Sequence, residues 1–146
     1  MSEKQYSKDI IEPVVNILRG KNFAFLGTIN KDGSPHVSPV WIDIEDNIIY
    51  INTAIGRVKH KNVTRDPRVS ISLVDESNPY SMTTIQGKVV EQITEGADKH
   101  IDSLAKKYLD IEKYPGHTIP SKRIILKIVP EKVFYIPPRY MEYIKR

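Results

Sequence analysis

The segment INTAIGRVKHKNV, residues 51–63, places three cations near the beginning of a predicted helix. Arg57, Lys59 and Lys61 follow a strand and a short loop that ends at Gly56, where the backbone can approach a ligand closely. A helix N-terminus carries partial positive charge and unpaired N–H groups, so cations are unfavourable there unless an anion is bound. Arg57 offers a planar fork for a phosphate, and Lys59 offers a point charge. The segment therefore indicates a phosphate site, with a solvated helix face as the open alternative.

A second segment, HVSPVW at residues 36–41, could lie along a planar polar ring. Pro39 has no N–H to donate, so a strand that contains it is expected at a sheet edge or a bulge. Backbone groups of such a strand stay free for a ligand, and Ser38 adds a hydroxyl. Trp41, the only tryptophan, either stacks on such a ring or fills the core, and core filling is the commoner role.

Other patterns of catalytic residues are missing from the sequence. There are no cysteines, which excludes disulfides, thiolate metal sites and a cysteine nucleophile. No metal site is predicted, because metal-ligand spacing is lacking among the four histidines, His36, His60, His100 and His117. Neither a glycine-rich phosphate loop nor a nucleophile elbow is present. If the protein is an enzyme, a cofactor carries its chemistry, and no catalytic side chain is identified.

Charge and hydropathy restrict the partners of the chain. Its 146 residues carry a net charge of +4, and the isoelectric point is about 9.2. Nucleic acid is an unlikely partner, because Lys and Arg are scattered beside Asp and Glu without a basic tail. The polar N-terminus does not resemble a signal peptide, and the longest apolar stretches, such as residues 124–129, are too short to span a bilayer. We therefore expect a cytoplasmic protein with no membrane association and a small phosphorylated ligand.

The periodicity of the sequence predicts mostly strands. They are expected at residues 23–30, 35–44, 48–53, 68–75, 80–93, 123–129 and 132–136. The first three should form an antiparallel meander. Helices are predicted at 12–19 and 57–65 and after Thr94, which is a suitable N-cap. The helices are too few for βαβ alternation, which indicates a mainly β protein. We expect a β-barrel that forms one domain over residues 1–146.

Three runs together resemble one family, the pyridoxamine-phosphate-oxidase-like split barrels. They are LGTINKDGSPHVSPVWIDI, IYINTAIGRVKHKNVTRDPRVSISLVD and NPYSMTTIQGKVVE. A fourth run, GADKHIDSLAKKYLDIEKYPG, is similar to a branch of that family expected to use the deazaflavin coenzyme F420. The resemblance implies a split β-barrel of the FMN-binding type that forms a homodimer, with two flavin-type cofactors at the subunit interface.

The resemblance also implies roles for individual residues. Arg57 and Lys59 match the phosphate-binding residues, and Val58 offers a backbone contact. The residues that match the strand along the cofactor ring are Ser38, Pro39, Val40 and Trp41. Thr53 and Ala54 match the loop beside the ring, and Asn62 is implied as a structural contact. The residues that would approach the cofactor from the partner subunit are Tyr80, Ser81 and Met82.

The cofactor expected from the resemblance is F420, with FMN as the alternative. Ser38 stands near the position where true pyridoxamine-phosphate oxidases have a cation, and no C-terminal arginine segment for their substrate is evident. Lys61 and Arg65 could receive the acidic tail of the deazaflavin. The expected function is hydride transfer between the cofactor and a small organic substrate, whose identity and the direction of transfer stay open. The alternatives are a non-enzymatic cofactor carrier, a pyridoxamine-phosphate oxidase and a nucleic-acid-binding barrel.

Overall fold

A computed structural model describes residues 8–118 and 120–138 of the chain. Within them, one seven-stranded sheet curls into a half-barrel, and three α-helices pack against it. The strands are β1 Ala24–Ile29, β2 Pro35–Val40, β3 Ile42–Glu45, β4 Ile48–Ala54, β5 Arg68–Asp75, β6 Asn78–Ile93 and β7 Arg123–Ile136. The helices are α1 Glu12–Arg19, α2 Val58–Arg65 and α3 Ala97–Leu109, and a short 3₁₀ turn covers Pro115–Thr118. The mainly β fold predicted from the sequence is confirmed.

All neighbouring strands of the sheet are antiparallel, in the order β2-β1-β5-β6-β7-β4-β3. The alternation in β5 shows how the sequence builds the core, since Val69, Ile71 and Leu73 are buried and their neighbours Ser70 and Ser72 are exposed. The buried faces of the other strands and the apolar side of α1 complete this core. Of the remaining helices, α2 contacts β1 and β4, and α3 contacts β7 and β4.

The prediction of a three-stranded meander is wrong. The single strand expected at residues 35–44 is divided at Trp41 into β2 and β3. The strand β2 pairs with β1 at one edge of the sheet, whereas β3 pairs with β4 at the other edge. The polar–apolar alternation continues through Trp41, but alternation does not say which neighbour a strand pairs with. Pro39 lies on the edge strand β2, as the sequence predicted.

Two further boundaries differ from the predictions. The strands expected at 123–129 and 132–136 are one strand, β7, in which Pro130 sits opposite Gly87 at a shift of register. Thr94 is not the N-cap of α3. The helix begins after Gly96, which adopts a left-handed conformation with φ 76° and makes no side-chain cap. Thr94 contributes through its carbonyl oxygen, which accepts a hydrogen bond from the Ala97 N–H.

None of the helices in the described ranges is both long and apolar enough to cross a membrane.

Candidate functional site

A cleft of about 170 Å³ opens at one end of the half-barrel. It lies where β2 and β4 end and where α2 and β7 begin. Its walls include six of the residues singled out from the sequence: Pro39, Val40, Trp41, Thr53, Arg57 and Lys59. Four more residues complete the lining: Asn52, Ile101, Tyr114 and Arg123. The two sequence segments that suggested a ring and a phosphate site therefore meet in one place.

Three cations converge in this cleft. Arg57 is exposed and immediately precedes α2, while Lys59 on the first turn is half-buried. Arg123 at the start of β7 is only 7% exposed. Burial, together with the nearby charges of Arg57 and Arg123, lowers the pKa of Lys59. Within the described ranges, none of the three forms an ion pair with a carboxylate, so the cleft would favour an anionic ligand.

Arg123 is held by two contacts of different kinds. Its Nε donates a hydrogen bond of 2.8 Å to the Asn52 Oδ1. Its guanidinium also lies over the ring of Tyr114, 5.2 Å from the ring centroid. Burial lowers the pKa of Arg123, and the charge of Arg57 acts in the same direction. A buried guanidinium with this much support is oriented before any ligand arrives.

Two buried hydroxyl groups have no hydrogen-bond partner in the described part of the chain. They are the Oγ1 of Thr53 and the Oγ of Ser38. Thr53 is only 1% exposed and lies in the wall of the cleft. Buried polar atoms are rarely left unpaired, because an unpaired group has lost its hydrogen bonds to water. A phosphate or polar ring in the cleft would give the Thr53 hydroxyl a partner, which fits a flavin-type cofactor.

Aromatic rings form one wall of the cleft. The indole of Trp41 is stacked on the ring of Tyr108, with 5.3 Å between the ring centroids and an interplanar angle of 7°. The rings of Tyr114 and Trp41 form a T-shaped pair, with 5.9 Å between their centroids. Trp41 is half-buried and lies outside the apolar core, so the core-filling interpretation of this residue is wrong. The indole instead provides a flat apolar surface beside the cations.

The loop that carries Tyr114 is fastened to α3 by Asp102. The carboxylate of Asp102 accepts a hydrogen bond of 2.8 Å from the Tyr114 backbone N–H. It also contacts the His117 Nε2 at 2.6 Å. The hydrogen bond from the Tyr114 N–H is the largest cause of the lowered pKa of Asp102, and the contact with His117 acts in the same direction. We call this arrangement of Asp102, Tyr114 and His117 the loop clasp.

Other residues implied by the family resemblance lie around the cleft or away from it. Ala54 is buried opposite Arg123 in the β4–β7 ladder, and Val58 is the half-exposed first residue of α2. Lys61 is exposed on α2 and does not line the cleft. Tyr80 and Met82 lie on β6, outside the cleft of their own chain.

Sequence reasoning missed Asn52, Ile101, Tyr114 and Arg123. Arg123 gave a local signal, since it follows Lys122 and directly precedes three apolar residues, Ile124, Ile125 and Leu126. Asn52 was another, since a polar amide interrupts the apolar end of β4. Tyr114 and Ile101 gave no comparable signal, because their position depends on how the segment after β6 folds back over the sheet.

A curled antiparallel sheet with a cationic, aromatic cleft at its end defines the class of flavin-binding split barrels. The chain belongs to the pyridoxamine 5'-phosphate oxidase family, which it matches over residues 10–137. The family and the split-barrel fold predicted from the sequence are thereby confirmed. This is a family of flavin-binding, oxidoreductase-like proteins whose members are typically dimeric and bind small molecules.

Solved structures share this fold. An F420 reductase is 22% identical, with a TM-score of 0.72, over 81% of this chain and 93% of that one. A conserved hypothetical protein from Mycobacterium tuberculosis is 24% identical, with a TM-score of 0.67, over 97% of this chain and 88% of that one. General stress protein 26 from Bacillus anthracis is 20% identical, with a TM-score of 0.64, over 86% and 92% of the two chains.

Proposed function

We propose that this protein is an oxidoreductase that binds coenzyme F420, or alternatively FMN, at the interface of a homodimer. The bound cofactor would supply hydride transfer to or from a small organic substrate. The observation that carries the proposal is the convergence of Arg57, Lys59 and Arg123 on one small cleft. The contribution of the protein is to hold the phosphate, to present a flat wall to the ring and to exclude water.

The phosphate would lie against the N-terminus of α2. Arg57 and Lys59 come from that terminus, and Arg123 approaches from β7. The unpartnered Thr53 hydroxyl can donate to the same anion. Four donors of this kind suit a phosphate group. Burial, and after it the charges of Arg57 and Arg123, lower the pKa of Lys59, and a bound phosphate would offset the repulsion among the three cations.

The remainder of the cofactor needs a second copy of the chain. Ligand sites usually enclose roughly 300–1,000 Å³, whereas this cleft encloses about 170 Å³. Pro39 lines the cleft and also belongs to an exposed face of the sheet, next to Phe25 in the β1–β2 ladder. Met82 continues this face opposite Val74. A partner docked on this face would bring its own Met82 and Tyr80 towards the cofactor.

The choice of F420 over FMN rests on charge. The ring-side residues Ser38, Pro39 and Val40 carry no cation to stabilise an anionic reduced flavin. Lys61 and Arg65 are exposed on α2, the helix whose N-terminus would hold the phosphate. They would receive the acidic tail of the deazaflavin. The likeness in fold to an F420 reductase is in keeping with this choice.

Fluorescence titrations of the purified protein with F420 and with FMN test the proposal. We expect tighter binding of F420 at low salt, with an advantage that shrinks as the salt concentration rises. The variant Lys61→Ala should reduce the F420 advantage without affecting FMN. Equal or tighter binding of FMN at low salt would assign the protein to FMN, and no binding of either would refute the proposal.

A cofactor carrier is the second candidate, because no catalytic side chain is identified in the cleft. Reduced cofactor bound to the protein should be reoxidised in the presence of a suitable organic acceptor if the protein is an enzyme. Reoxidation rates of the bound cofactor with a panel of acceptors, compared with those of free cofactor at the same concentration, distinguish an enzyme from a carrier. Rates no faster than those of free cofactor across the panel would favour a carrier.

A further inference from the structure

A row of hydrogen bonds leads from the cleft to the surface of the protein. The Arg123 Nε donates to the Asn52 Oδ1 at 2.8 Å. The Asn52 Nδ2 lies 3.0 Å from the His100 Nδ1 and donates to the Ala97 carbonyl oxygen at 2.9 Å. The His100 Nε2 in turn lies 3.2 Å from the Asp43 Oδ1. The row connects β7, β4, α3 and β3 in that order.

The chemistry of the two ends determines the direction of every bond between them. A guanidinium can only donate, so Asn52 must turn its Oδ1 towards Arg123. An ionised carboxylate can only accept, so the His100 Nε2 must carry the hydrogen that faces Asp43. His100 then presents an unprotonated Nδ1 to the Asn52 Nδ2. With the other tautomer of His100, two donors would face each other.

We infer that His100 and Asp43 are positioning residues for Arg123. This inference rests on the proposed function in so far as the anion held by Arg123 is the cofactor phosphate. The Tyr114 ring packs against the guanidinium, and the bond to Asn52 fixes the direction of the Nε–H. His100, together with the Ala97 carbonyl oxygen, keeps Asn52 in the orientation that makes this bond, and Asp43 keeps His100 in the required tautomer. Neither His100 nor Asp43 lines the cleft.

Nitrogen-15 NMR of the ligand-free protein tests this inference without any cofactor. The His100 ring should show the tautomer protonated at Nε2, and the Arg123 Nε–H should exchange slowly with water. His100→Leu should make that N–H exchange at least tenfold faster. His100→Gln should preserve slow exchange, because an amide presents one acceptor and one donor as the imidazole does. Slow Arg123 exchange in a folded His100→Leu protein would overturn the inference.

Asp43→Ala is a second variant at a position that is less buried, with the Asp43 side chain 36% exposed against 12% for His100. It should leave the fold intact and raise the population of the Nδ1-protonated tautomer of His100, because the Nε2–H loses its acceptor while the Asn52 Nδ2 still opposes that tautomer. Lys106→Ala on the exposed side of the same helix is the control and should leave the tautomer and the Arg123 exchange rate unchanged. A single Nε2-protonated tautomer in Asp43→Ala would overturn the role of Asp43.

Titration with F420 connects the inference to the site. His100→Leu should weaken F420 binding about tenfold, roughly the effect of losing one charged hydrogen bond. In an Arg123→Met background, the same change should have no further effect, because there is no guanidinium left to position. Additive losses would overturn the inference. If the unaltered protein binds neither F420 nor FMN, the proposed function fails, and the NMR measurements alone decide the positioning role.

Discussion

Arg57, Lys59 and Arg123 hold like charges around a cleft of about 170 Å³. The charged form of Lys59 is therefore destabilised, and its pKa is lowered by burial and by the other two cations. A base with a lowered pKa in the folded state binds fewer protons than in the unfolded state. The free energy of unfolding therefore rises as the pH increases from the lowered pKa of Lys59 towards its ordinary value of 10.5.

Lys59→Met separates binding from stability. The variant should bind F420 more weakly by about 1.5–3 kcal/mol, the range for a charged hydrogen bond. Without ligand it should melt at a higher temperature than the unaltered protein at neutral pH, because the confined charge is gone. Its stability should also rise less towards pH 10.5. Fluorescence titration and thermal unfolding across pH measure the two effects.

Lys106→Ala provides the control for Lys59. Lys106 is exposed and pairs with Asp110 and Glu112, away from the cleft. Its replacement should leave the affinity for F420 unchanged. Equal affinities of the Lys59 and Lys106 variants would remove the support for a phosphate site at α2.

Thr53 and Thr83 form a natural pair for testing the unpartnered hydroxyl. Each side chain is 1% exposed. The Thr83 Oγ1 donates to the Phe134 carbonyl oxygen at 2.8 Å, whereas the Thr53 Oγ1 has no partner in the described residues. Thr83→Val should lower the free energy of unfolding by about 1 kcal/mol. Thr53→Val should leave it unchanged or raise it, and should weaken ligand binding. A loss of stability in Thr53→Val equal to that in Thr83→Val would contradict a hydroxyl reserved for a ligand.

At the scale of elements, the loop clasp joins α3 to the loop that carries Tyr114. Asp102→Ala should release the loop, because the Tyr114 N–H and His117 both lose their acceptor. Hydrogen exchange at Tyr114 should become faster, and F420 binding should weaken. Glu112→Ala, in the same loop but paired with Lys106, should change neither. Unchanged exchange at Tyr114 in Asp102→Ala would show that the clasp does not hold the loop.

The clasp should also respond to acid. The pKa of Asp102 is lowered from 3.8, chiefly by the Tyr114 N–H. A lowered carboxyl pKa contributes stability that is present above pH 3.8 and is lost as the pH falls through the folded value. Faster exchange at Tyr114 is therefore expected only in strong acid. Loosening at neutral pH would point to another cause.

The elements that the sequence predicted correctly are those that depend on local pattern. Strand β5 alternates strictly and was found at the expected residues 68–75. The division at Trp41 and the continuation of β7 through Pro130 were not predicted, because both depend on pairing with distant strands. The sequence contains no local signal for the register that lets Pro130 face Gly87.

The candidate site, like the fold, was predictable only where its residues are close together in the sequence. Arg57 and Lys59 are close together in the chain, so a helix-start argument could place both near one anion. Arg123 and Tyr114 reach the cleft only because β7 pairs with β4 and because the loop after α3 folds back. The support of Arg123 by Asn52, His100 and Asp43 draws on four separate elements and could not be read from spacing.

At the scale of the whole molecule, an apolar face of the sheet is left uncovered. Phe25, Val37 and Val74 all expose large apolar side chains on it. The face includes the edge strand β2 and reaches the cleft at Pro39. Large apolar side chains exposed on one sheet face beside a ligand cleft are typical of an interface. A stable homodimer would bury on the order of 2,000 Å² or more in total.

Val37→Glu tests the dimer and its link to the cofactor together. Val37 is 62% exposed, so a charge there costs the isolated chain little, but buried in an interface it would prevent association. We expect the unaltered protein to sediment as a dimer of 16.8-kDa chains and Val37→Glu as a monomer with similar secondary structure. The monomer should also lose most of its affinity for F420, because Tyr80 and Met82 of a second copy would be missing. Leu109→Glu at the end of α3, 48% exposed and outside the sheet, is the control and should remain a dimer. A monomeric unaltered protein at micromolar concentration, or a monomeric Val37→Glu with full affinity, would contradict a cofactor site shared between two chains.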